Sequence, residues 1–430
     1  MIDIKTKIHD AFSVEFKVGF KPRENARDNN FNVGMWIFLP VSLDINPATY
    51  SKTDFWRDVK SNIRLVTPSY RLDEIASGEP AAAVREASGE ELEYQLKMFS
   101  AIVKSSLRDC RDLGDEAFCS AVNGIFETFR SFPECEAREL CGEFLCNIIS
   151  QSAFKRIDEG GDRQMLCSLV SRIDGIRRSR GFITVNPGDP GQNKDYVYRQ
   201  GVLKKYVERP FYLRAPKKRD GLVAEQAYYS VAAGLAMLFA TVVAWAFQRR
   251  FGNLTWPLFI ALIISYMMKD RIKELMRYYF AHRVGSKYFD NKAAIIFKDK
   301  RIGSLKEGMD FIPYSKVPER IRSLRDARRK FDGDLRVPDE KVILYRKSVS
   351  VGRDINDIIR LHFGSFLHKA DNPVKNVKML SDEGAILDIP CTKDYHINVV
   401  LQYEQGTESD FKHFRISLTR DGIQTIEEIY

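Results

Sequence analysis

Two long apolar runs constrain this chain more than any other feature of its sequence. Residues 227–247 carry no charged side chain, and residues 254–268 form a second apolar run after a short polar break. A helix that spans a bilayer needs about 20 apolar residues, so the first run is long enough. The second would extend only about 22 Å and needs the preceding residues or a thinned bilayer. The sequence predicts a transmembrane helical hairpin over residues 227–268, with a buried hairpin of a soluble core as the alternative.

Aromatic residues of the two runs sort to opposite ends of this hairpin. If the helices are antiparallel, the tyrosines fall at one membrane interface and the tryptophans at the other, as in the aromatic belts of spanning helices. Thr255 and Pro257 suit the start of the second helix as its cap and first-turn residue. The predicted membrane-interface residues are Tyr228, Tyr229, Trp245, Trp256 and Tyr266.

Basic residues flank the hairpin, whereas its connecting loop has only Arg249 and Arg250. The positive-inside rule therefore predicts an integral protein of a bacterial inner (plasma) membrane with both termini in the cytoplasm. The formal charge of the chain is +9, and anionic lipid headgroups explain it more simply than nucleic acid does. The flanking cations are Lys204, Lys205, Arg209, Arg214, Lys217, Lys218 and Arg219 before the hairpin, and Lys269, Arg271, Lys273, Arg277, Arg283 and Lys287 after it.

Small residues recur every four positions along the first apolar run. This spacing places them on one helix face, where a neighbouring backbone can approach closely. Contact with the second helix of the same hairpin is the favoured interpretation, and the interface of a homo-oligomer is the alternative. Neither run contains an acidic, basic or histidine side chain, which argues against a transporter or proton channel. The predicted helix-packing residues are Ala232, Ala236, Ala240 and Ala244.

The helical pattern continues beyond the second apolar run. No Gly or Pro interrupts the chain between Pro257 and Gly285, so we expect one rod over residues 257–284, about 42 Å long. Its last part, residues 269–285, would form an amphipathic stalk whose apolar stripe packs against the N-terminal part of the protein. The stripe consists of Ile272, Leu275, Met276 and Tyr279.

The remaining segments differ in their periodicity. Residues 1–80 indicate a small α+β module, or strands that pair with a sheet elsewhere in the chain, and residues 81–182 indicate a helical bundle. The first long helix of the bundle is indicated by an apolar stripe of Leu92, Leu96, Phe99, Val103 and Leu107. Residues 183–226 are expected to form a linker and juxtamembrane segment. Residues 286–430 contain strand-like segments typical of a sandwich, a barrel or a half-open sheet. The expected fold is a multidomain membrane protein: a two-helix transmembrane hairpin, an N-terminal α+β and helical-bundle cytoplasmic part, and a C-terminal mostly-β cytoplasmic domain.

Residues 318–331 are the soluble stretch most enriched in arginine. As a helix, this stretch would place Ile321, Leu324 and Phe331 on one face and its cations on the other. Arginine forks suit phosphate oxygens, so an anionic ligand or lipid headgroup is one interpretation. A solvated helix paired with acidic groups is the other, and it is slightly favoured. The candidate ligand-binding residues are Arg320, Arg322, Arg325, Arg328 and Arg329.

Motifs that would indicate catalysis are missing from the sequence. It contains no Walker A motif, no GxGxxG after a strand, no HExxH and no GxSxG. Its seven cysteines form no CxxC, and no histidine has a second ligand at metal-binding spacing. We therefore predict no catalytic residue, no metal site, no cofactor and no nucleic-acid partner.

The sequence thus predicts an architecture rather than an activity. The leading hypothesis is a membrane-anchored cytoplasmic binding, sensing or scaffold protein, whose partners are the lipid bilayer, anionic headgroups and an unknown cytoplasmic protein. One alternative is a membrane effector whose hairpins oligomerise and disturb the bilayer. Another is an enzyme with an unfamiliar site in the C-terminal β domain.

Overall fold

The computed structural model describes residues 3–22, 29–252, 255–279, 288–327, 340–382, 384–406 and 408–429. The chain divides into two compact units. One, here called the β unit, comprises Met1–Ile63 and Arg214–Tyr430, and the other, the helical unit, comprises Arg64–Leu213. The expected mixture of helices in the N-terminal half and antiparallel sheets in the C-terminal half is confirmed.

Strands come from both ends of the chain. They are β1 (Asp3–Asp10), β2 (Ser13–Phe20), β3 (Asn30–Leu39), β4 (Val59–Leu65), β5 (Lys217–Arg219), β6 (Asn291–Phe297), β7 (Lys300–Ile312), β8 (Lys341–Val351), β9 (Ile355–His362), β10 (Val374–Leu380), β11 (Ile386–Thr392), β12 (Tyr395–Gln405), β13 (Glu408–Thr419) and β14 (Gly422–Glu428).

These strands form three sheets. The largest has eight strands in the order β14-β13-β12-β3-β8-β7-β6-β5, and the second has four in the order β1-β2-β9-β4. β10 and β11 pair only with each other. Because β3 is hydrogen-bonded between β8 and β12, and β2 pairs with β9, the strands of residues 1–80 fit the alternative expectation, pairing with strands elsewhere in the chain, rather than that of a separate module. Their backbone groups are satisfied by strands some 300 residues later in the chain.

The two larger sheets pack face to face through alternate side chains of their strands. Phe16 of β2 meets Phe414 of β13 with ring centroids 5.7 Å apart. Phe20 stacks on Phe31 of β3 at 4.9 Å. All four rings are buried, as expected for the inner faces of a two-sheet sandwich.

Three short α-helices lie beside the sheets in the described part of the β unit. They are α1 (Lys52–Asp58), α10 (Glu319–Asp326) and α11 (Gly364–Leu367). α1 begins with a capping box, in which Ser51 and Asp54 satisfy each other's backbone N–H groups. Ile321 of α10 joins an apolar cluster with Trp36 and Phe38, on the face of the eight-stranded sheet that points away from the sandwich core.

Helices make up nearly all of the helical unit. They are α2 (Glu79–Glu86), α3 (Gly89–Asp109), α4 (Asp115–Arg130), α5 (Glu136–Asp158), α6 (Arg163–Arg180) and α7 (Pro190–Glu208). The predicted apolar stripe of α3 is buried, and Phe99 at its centre packs edge-on against Phe132 at 5.3 Å.

The segment predicted as a linker, residues 183–226, contains regular structure. Asp189 caps α7 by accepting from the backbone N–H of Gln192 at 3.0 Å, and Pro190 occupies its first turn. Leu203 and Val207 then bury their side chains in the core of the helical unit. The unit therefore extends beyond the range 81–182 expected for the bundle.

Two long helices follow, α8 (Leu222–Phe251) and α9 (Trp256–Tyr279). They pack against each other as a hairpin. α9 continues without a break past Met268, although its predicted end near Val284 lies outside the described residues.

The predicted apolar stripe of α9 is half-buried at two of its residues and exposed at the other two. Ile272 and Met276 are half-buried, whereas Leu275 is 66% exposed and Tyr279 is 52% exposed. Met276 contacts α8, because its sulfur lies 3.7 Å from the hydroxyl of Tyr228. α8 begins five residues earlier than the apolar run, so it is long enough to pair with this part of α9.

Candidate membrane hairpin and its root

α8 is the one helix in the described part of the chain that is long and apolar enough, by length and composition, to cross a membrane. Its large apolar side chains point outward: Leu235, Leu238 and Val242 are exposed, Leu238 to 60%. Ile260, Ile263 and Ile264 of α9 are exposed as well. Water-soluble proteins rarely leave such a continuous apolar surface uncovered.

Small residues form the contact between α8 and α9. Ala232 and Ala236 are the buried residues of α8, and Ala261 and Ser265 are those of α9. The hydroxyl of Ser265 donates to the backbone oxygen of Ala240 at 3.3 Å. Such residues let two helix backbones approach closely, and a hydroxyl can then reach across.

The other two predicted packing residues, Ala240 and Ala244, are half-buried along the same row of α8. The row therefore faces the partner helix within the hairpin. Ala233 and Gly234 lie beside it and are exposed.

Tyr228 and Tyr229 lie at the end of the hairpin where α8 begins, whereas Tyr266 lies level with the middle of α8, beside the contact between Ser265 and Ala240. Tyr229 donates to Glu225 at 3.0 Å, and the guanidinium of Arg277 lies 5.4 Å from its ring. Tyr266 is exposed, with the ammonium group of Lys269 at 3.9 Å from its ring centre. Each of these contacts combines an aromatic ring with a cation, an arrangement that suits a membrane surface.

Tryptophans occupy the other end. Trp245 and Trp256 are both exposed. The guanidinium of Arg249 lies 5.5 Å from the ring of Trp245, and Trp256 packs edge-on against Phe259 at 6.0 Å. The structure thus places Tyr228 and Tyr229 toward one end of the hairpin and the tryptophans toward the other, with Tyr266 between them.

The hairpin arises from two neighbouring strands of the eight-stranded sheet. β5 ends at Arg219, just before α8, and β6 begins at Asn291, after α9. The two strands pair directly, with Arg219 opposite Asn291. We call residues 217–221 and 288–291 the hairpin root. Here the chain leaves the sheet edge, forms α8 and α9, and returns to the adjacent strand.

Gly221 allows the sharp turn from β5 into α8. Its φ is +73°, in the left-handed region that favours glycine. A Cβ atom at this position would also lie 2.9 Å from the ring of Tyr288. The root is therefore closely packed.

A cleft of about 420 Å³ lies at the root. Lys52 on its wall pairs with Asp290 at 2.8 Å and Asp310 at 3.2 Å, and Arg219 pairs with Glu225 at 2.9 Å. Because each of these cations already has a carboxylate partner, the cleft is a network of ion pairs rather than an open anion site.

Beside the root, charged side chains are buried between the two sheets. Lys347 of β8 and Asp357 of β9 have no exposed surface and form an ion pair. Lys347 also donates to the hydroxyl of Ser61 at 2.6 Å. Its ammonium group lies 3.7 Å from Oε1 of Glu307, its neighbour across the β7–β8 ladder. Since Asp357 and Ser61 belong to the four-stranded sheet, Lys347 bridges the two sheets. We call Ser61, Glu307, Tyr345, Lys347 and Asp357 the buried charge cluster.

Lys217 connects this cluster to the hairpin. Its ammonium group lies 2.5 Å from Oε2 of Glu307, while the hydroxyl of Tyr345 donates to Oε1 at 2.8 Å. Lys217 begins β5 and therefore stands five residues before α8. A buried carboxylate thus holds the strand that leads into the apolar helix.

Burial and the neighbouring lysines have opposite effects on the pKa values of the two carboxyl groups in the cluster. Burial raises the pKa of Asp357, although Lys347 lowers it in part. Burial acts in the same direction on Glu307, but Lys347 and Lys217 outweigh it and hold the pKa of Glu307 below its ordinary value. Burial and the nearby Glu307 raise the pKa of Tyr345 well above 10. These are the signs of an ion-pair network that is closed to solvent, and such networks stabilise one arrangement of their elements.

The arginine-rich stretch is largely engaged with the protein itself. Arg325 is buried and pairs with Asp326 at 3.3 Å and Glu340 at 3.0 Å. Arg320 lies 4.1 Å over the ring of Phe411. Arg322 is half-buried, and the candidates Arg328 and Arg329 lie outside the described residues. The described arginines therefore fit the interpretation of a packed helix paired with acidic groups.

The helical unit has a larger cleft, of about 700 Å³, lined by several cations. Arg156 on its wall donates to the backbone oxygens of Leu113 and Cys110 at 2.8 and 2.5 Å and to Asp115 at 3.1 Å. α3 and α5 both end here, and cations at helix C-termini complement the helix dipole. Arg156 therefore has a structural role in closing the end of α3 and the turn that follows it.

Comparisons with known proteins add no relative. No protein-family model matches the chain, and no curated protein matches it significantly in sequence. In the described part of the chain, no group of three His, Cys, Asp or Glu side chains is placed to hold a metal ion. The hairpin, its root and the buried charge cluster are therefore the features from which a function is inferred.

Proposed function

We propose that the protein is an integral membrane protein of a bacterial inner membrane, anchored by the α8–α9 hairpin, with both termini in the cytoplasm. Its function would be to bind or sense a cytoplasmic partner, or to act as a scaffold for one, at the membrane surface. The observation that carries this proposal is that the apolar hairpin is inserted between the paired strands β5 and β6. An anchor attached in this way holds the sheet edge itself at the bilayer.

Both helices would cross the bilayer, although α9 is apolar only up to Met268. Its apolar part of about 13 residues covers roughly 20 Å, less than a hydrocarbon core of about 30 Å. Lys269 lies along the ring of Tyr266, and a lysine next to the apolar region can extend its ammonium group to the interface. Local thinning of the bilayer would accommodate the remaining mismatch.

The root would let the β unit respond to the membrane. A shift of α8 acts on β5, and β5 is held by the ion pair between Lys217 and Glu307. Glu307 in turn lies in the network of Lys347 and Asp357, which connects the two sheets. A change of hairpin position therefore has a continuous path of contacts into the sandwich core.

The proposed anchoring can be tested by extraction at alkaline pH. We expect the wild-type protein to stay in the membrane pellet. Leu238→Arg combined with Val242→Arg should move it to the soluble or aggregated fraction, because a charge near the bilayer centre costs about 2.5–3.5 kcal/mol on insertion scales. Phe154→Arg, at an exposed apolar residue of α5, is the matched control and should stay in the pellet. Full extraction of the wild-type protein would refute the anchor.

A size measurement in detergent and a pull-down from native membranes address the binding role. A monomer or a defined complex with a cytoplasmic protein supports the proposal. A homo-oligomer that releases dye from vesicles would support the alternative of a membrane effector. The homo-oligomer of that alternative would need an interface other than the alanine row of α8, because this row faces α9.

A further inference from the structure

Among the described residues, the two strands β10 and β11 form an arm that pairs with no other strand of the β unit. Every residue of both strands is exposed. An isolated two-stranded ribbon is marginally stable in water and usually needs a surface to pack on. The arm is nevertheless rich in large apolar side chains, namely Val374, Val377, Met379, Leu380, Ile386, Leu387 and Ile389.

The pairing of the two strands sorts these side chains by face. Val377 lies opposite Ile389 and Met379 opposite Leu387, so one face is apolar along most of its length. The other face carries polar pairs near its middle. It ends at the apolar pair of Leu380 and Ile386, which are 68% and 71% exposed next to the connecting turn. The arm is therefore an amphipathic ribbon with an apolar tip.

The arm and the hairpin leave the eight-stranded sheet in the same strand direction. β12 begins just after the arm, and β5 ends just before α8. The antiparallel registers make the start of β12 and the end of β5 point the same way, but they place the root level with Tyr403, eight residues from the start of β12. The arm is therefore about 19 Å from β6 across the sheet and leaves the sheet about 27 Å farther along the strand direction than the hairpin does.

We propose that the β10–β11 arm is a second membrane contact, which inserts its apolar face and tip into the bilayer interface beside the hairpin. Its strands of seven residues are about 24 Å long, and the arm lies in the direction in which β5 leads into α8. Successive strands rotate by roughly 20°, so the arm approaches the bilayer at an angle to the hairpin. Lys375 and Lys378 on β10 are exposed and suit anionic headgroups.

The position of the arm favours a bilayer over a protein as its occupant. It lies in the direction in which β5 leads into the helix that is apolar enough to span a membrane. Its apolar residues also continue to the tip, as needed for insertion, whereas pairing with another chain would require only an open strand edge. This inference rests on the proposed membrane anchor, and the experiment separates the two.

The test places an environment-sensitive fluorophore on single cysteines of the full chain. The parent carries Cys167→Ser and Cys391→Ser, because these two native cysteines are exposed, and the labelled parent serves as the blank. One probe goes on Leu380 in the arm and one on Leu238 in α8. The control is Asp299 in the β6–β7 turn, which the registers place at the opposite end of the sheet. Each protein is reconstituted into vesicles of phosphatidylcholine and phosphatidylglycerol with quencher-labelled acyl chains.

We expect lipid quenching and a blue shift at positions 380 and 238, and neither at 299. Changing Ile386→Asp should remove the quenching at 380 and leave that at 238 unchanged. Quenching at 238 together with an unquenched probe at 380 would overturn the arm and leave the anchor intact. Loss of quenching at 238 would overturn the anchor. A blue shift at 380 without quenching, increasing with protein density, would mean that the arm docks on protein.

Discussion

Lys217 and Glu307 form an ion pair of 2.5 Å at the point where the β unit meets the hairpin. Glu307 is buried in the sandwich core, whereas Lys217 belongs to the short edge strand that leads into α8. A three-residue edge strand has few hydrogen bonds of its own, so this ion pair is a large share of what fixes it. The pair therefore defines how firmly the hairpin is attached.

Lys217→Met should loosen the root. Because Lys217 is about one-third exposed and Glu307 retains Tyr345 and Lys347, we expect a cost of about 1–2 kcal/mol in unfolding free energy. Lys218→Met, on the same strand but exposed, should change it by less than about 0.5 kcal/mol. Thermal unfolding in detergent, followed by tryptophan fluorescence, measures both. Equal effects of the two variants would show that the ion pair does not fix the root.

The ion pair of Lys347 and Asp357 predicts strong non-additivity. Lys347→Met or Asp357→Leu alone leaves a buried charge without its partner, so each should cost roughly 3–5 kcal/mol. The double variant should cost much less than the sum, because two apolar side chains then replace the pair. Denaturant unfolding of the four proteins gives the coupling energy. Additive costs would mean that the two side chains act independently. If a single variant does not fold but the double variant does, that difference alone shows that the two side chains are coupled.

The sequence predicted the features that depend on local periodicity. The apolar runs mark α8 and most of α9, and the stripe of Leu96, Phe99 and Val103 marks α3. The pairing of β3 between β8 and β12 has no local signal, because its partners lie some 300 residues away. Sequence distance is therefore the reason that the sequence could not decide whether the N-terminal strands form a module of their own or pair with strands elsewhere.

The buried charge cluster was missed for a related reason. A weak signal exists: Lys347 shares the inward alternation of Ile343, Tyr345 and Val349 in β8. A lysine on an otherwise apolar strand face indicates that a buried carboxylate lies nearby as its ion-pair partner. The partners, Glu307 and Asp357, lie on other strands and cannot be identified without the sheet order. The same limit applies to Arg325, whose partner Glu340 follows a stretch outside the described residues.

The contact between α8 and α9 predicts different outcomes at neighbouring alanines. Ala236→Leu would place a large side chain where the two helices meet, and overpacking of this kind costs about 1–3 kcal/mol. Ala240→Leu should cost less, because this residue is only half-buried. Ala233→Leu on the exposed side is the matched control and should be neutral. Thermal stability and oligomer size in detergent measure the effects. A loss of oligomer size with Ala233→Leu would place an intermolecular contact on the exposed side instead.

His413 should make the stability of the β unit depend on pH. Burial, followed by the nearby Arg415 and Arg325, lowers the pKa of His413 from 6.5 to about 4. The unfolded chain therefore takes up a proton at a higher pH than the folded protein does. Stability is retained above pH 6.5 and is lost as the pH falls toward 4, by roughly 2 kcal/mol between pH 7.5 and pH 5.

His413→Gln removes the titrating group and should flatten this dependence. Gln keeps an amide that can interact with Asn398, whose Oδ1 lies 3.0 Å from Nε2 of His413. His396→Gln, in the same sheet, is the matched control and should retain the wild-type slope. Melting temperatures at pH 5 and pH 7.5 give the comparison. An unchanged slope in His413→Gln would assign the pH dependence to other groups.

The distribution of cations around the hairpin predicts which parts of the protein face the outside. Lys269, Arg271, Lys273 and Arg277 follow the apolar part of α9, while only Arg249 and Arg250 precede the connection to it. We therefore expect Thr255→Cys, at this connection, to react with a membrane-impermeant maleimide in spheroplasts. The native Cys167 and Cys391 are exposed on the protein surface and serve as internal controls. They should react only after permeabilisation. Labelling of either native cysteine in intact spheroplasts, with Thr255→Cys protected, would reverse the topology and place both units outside.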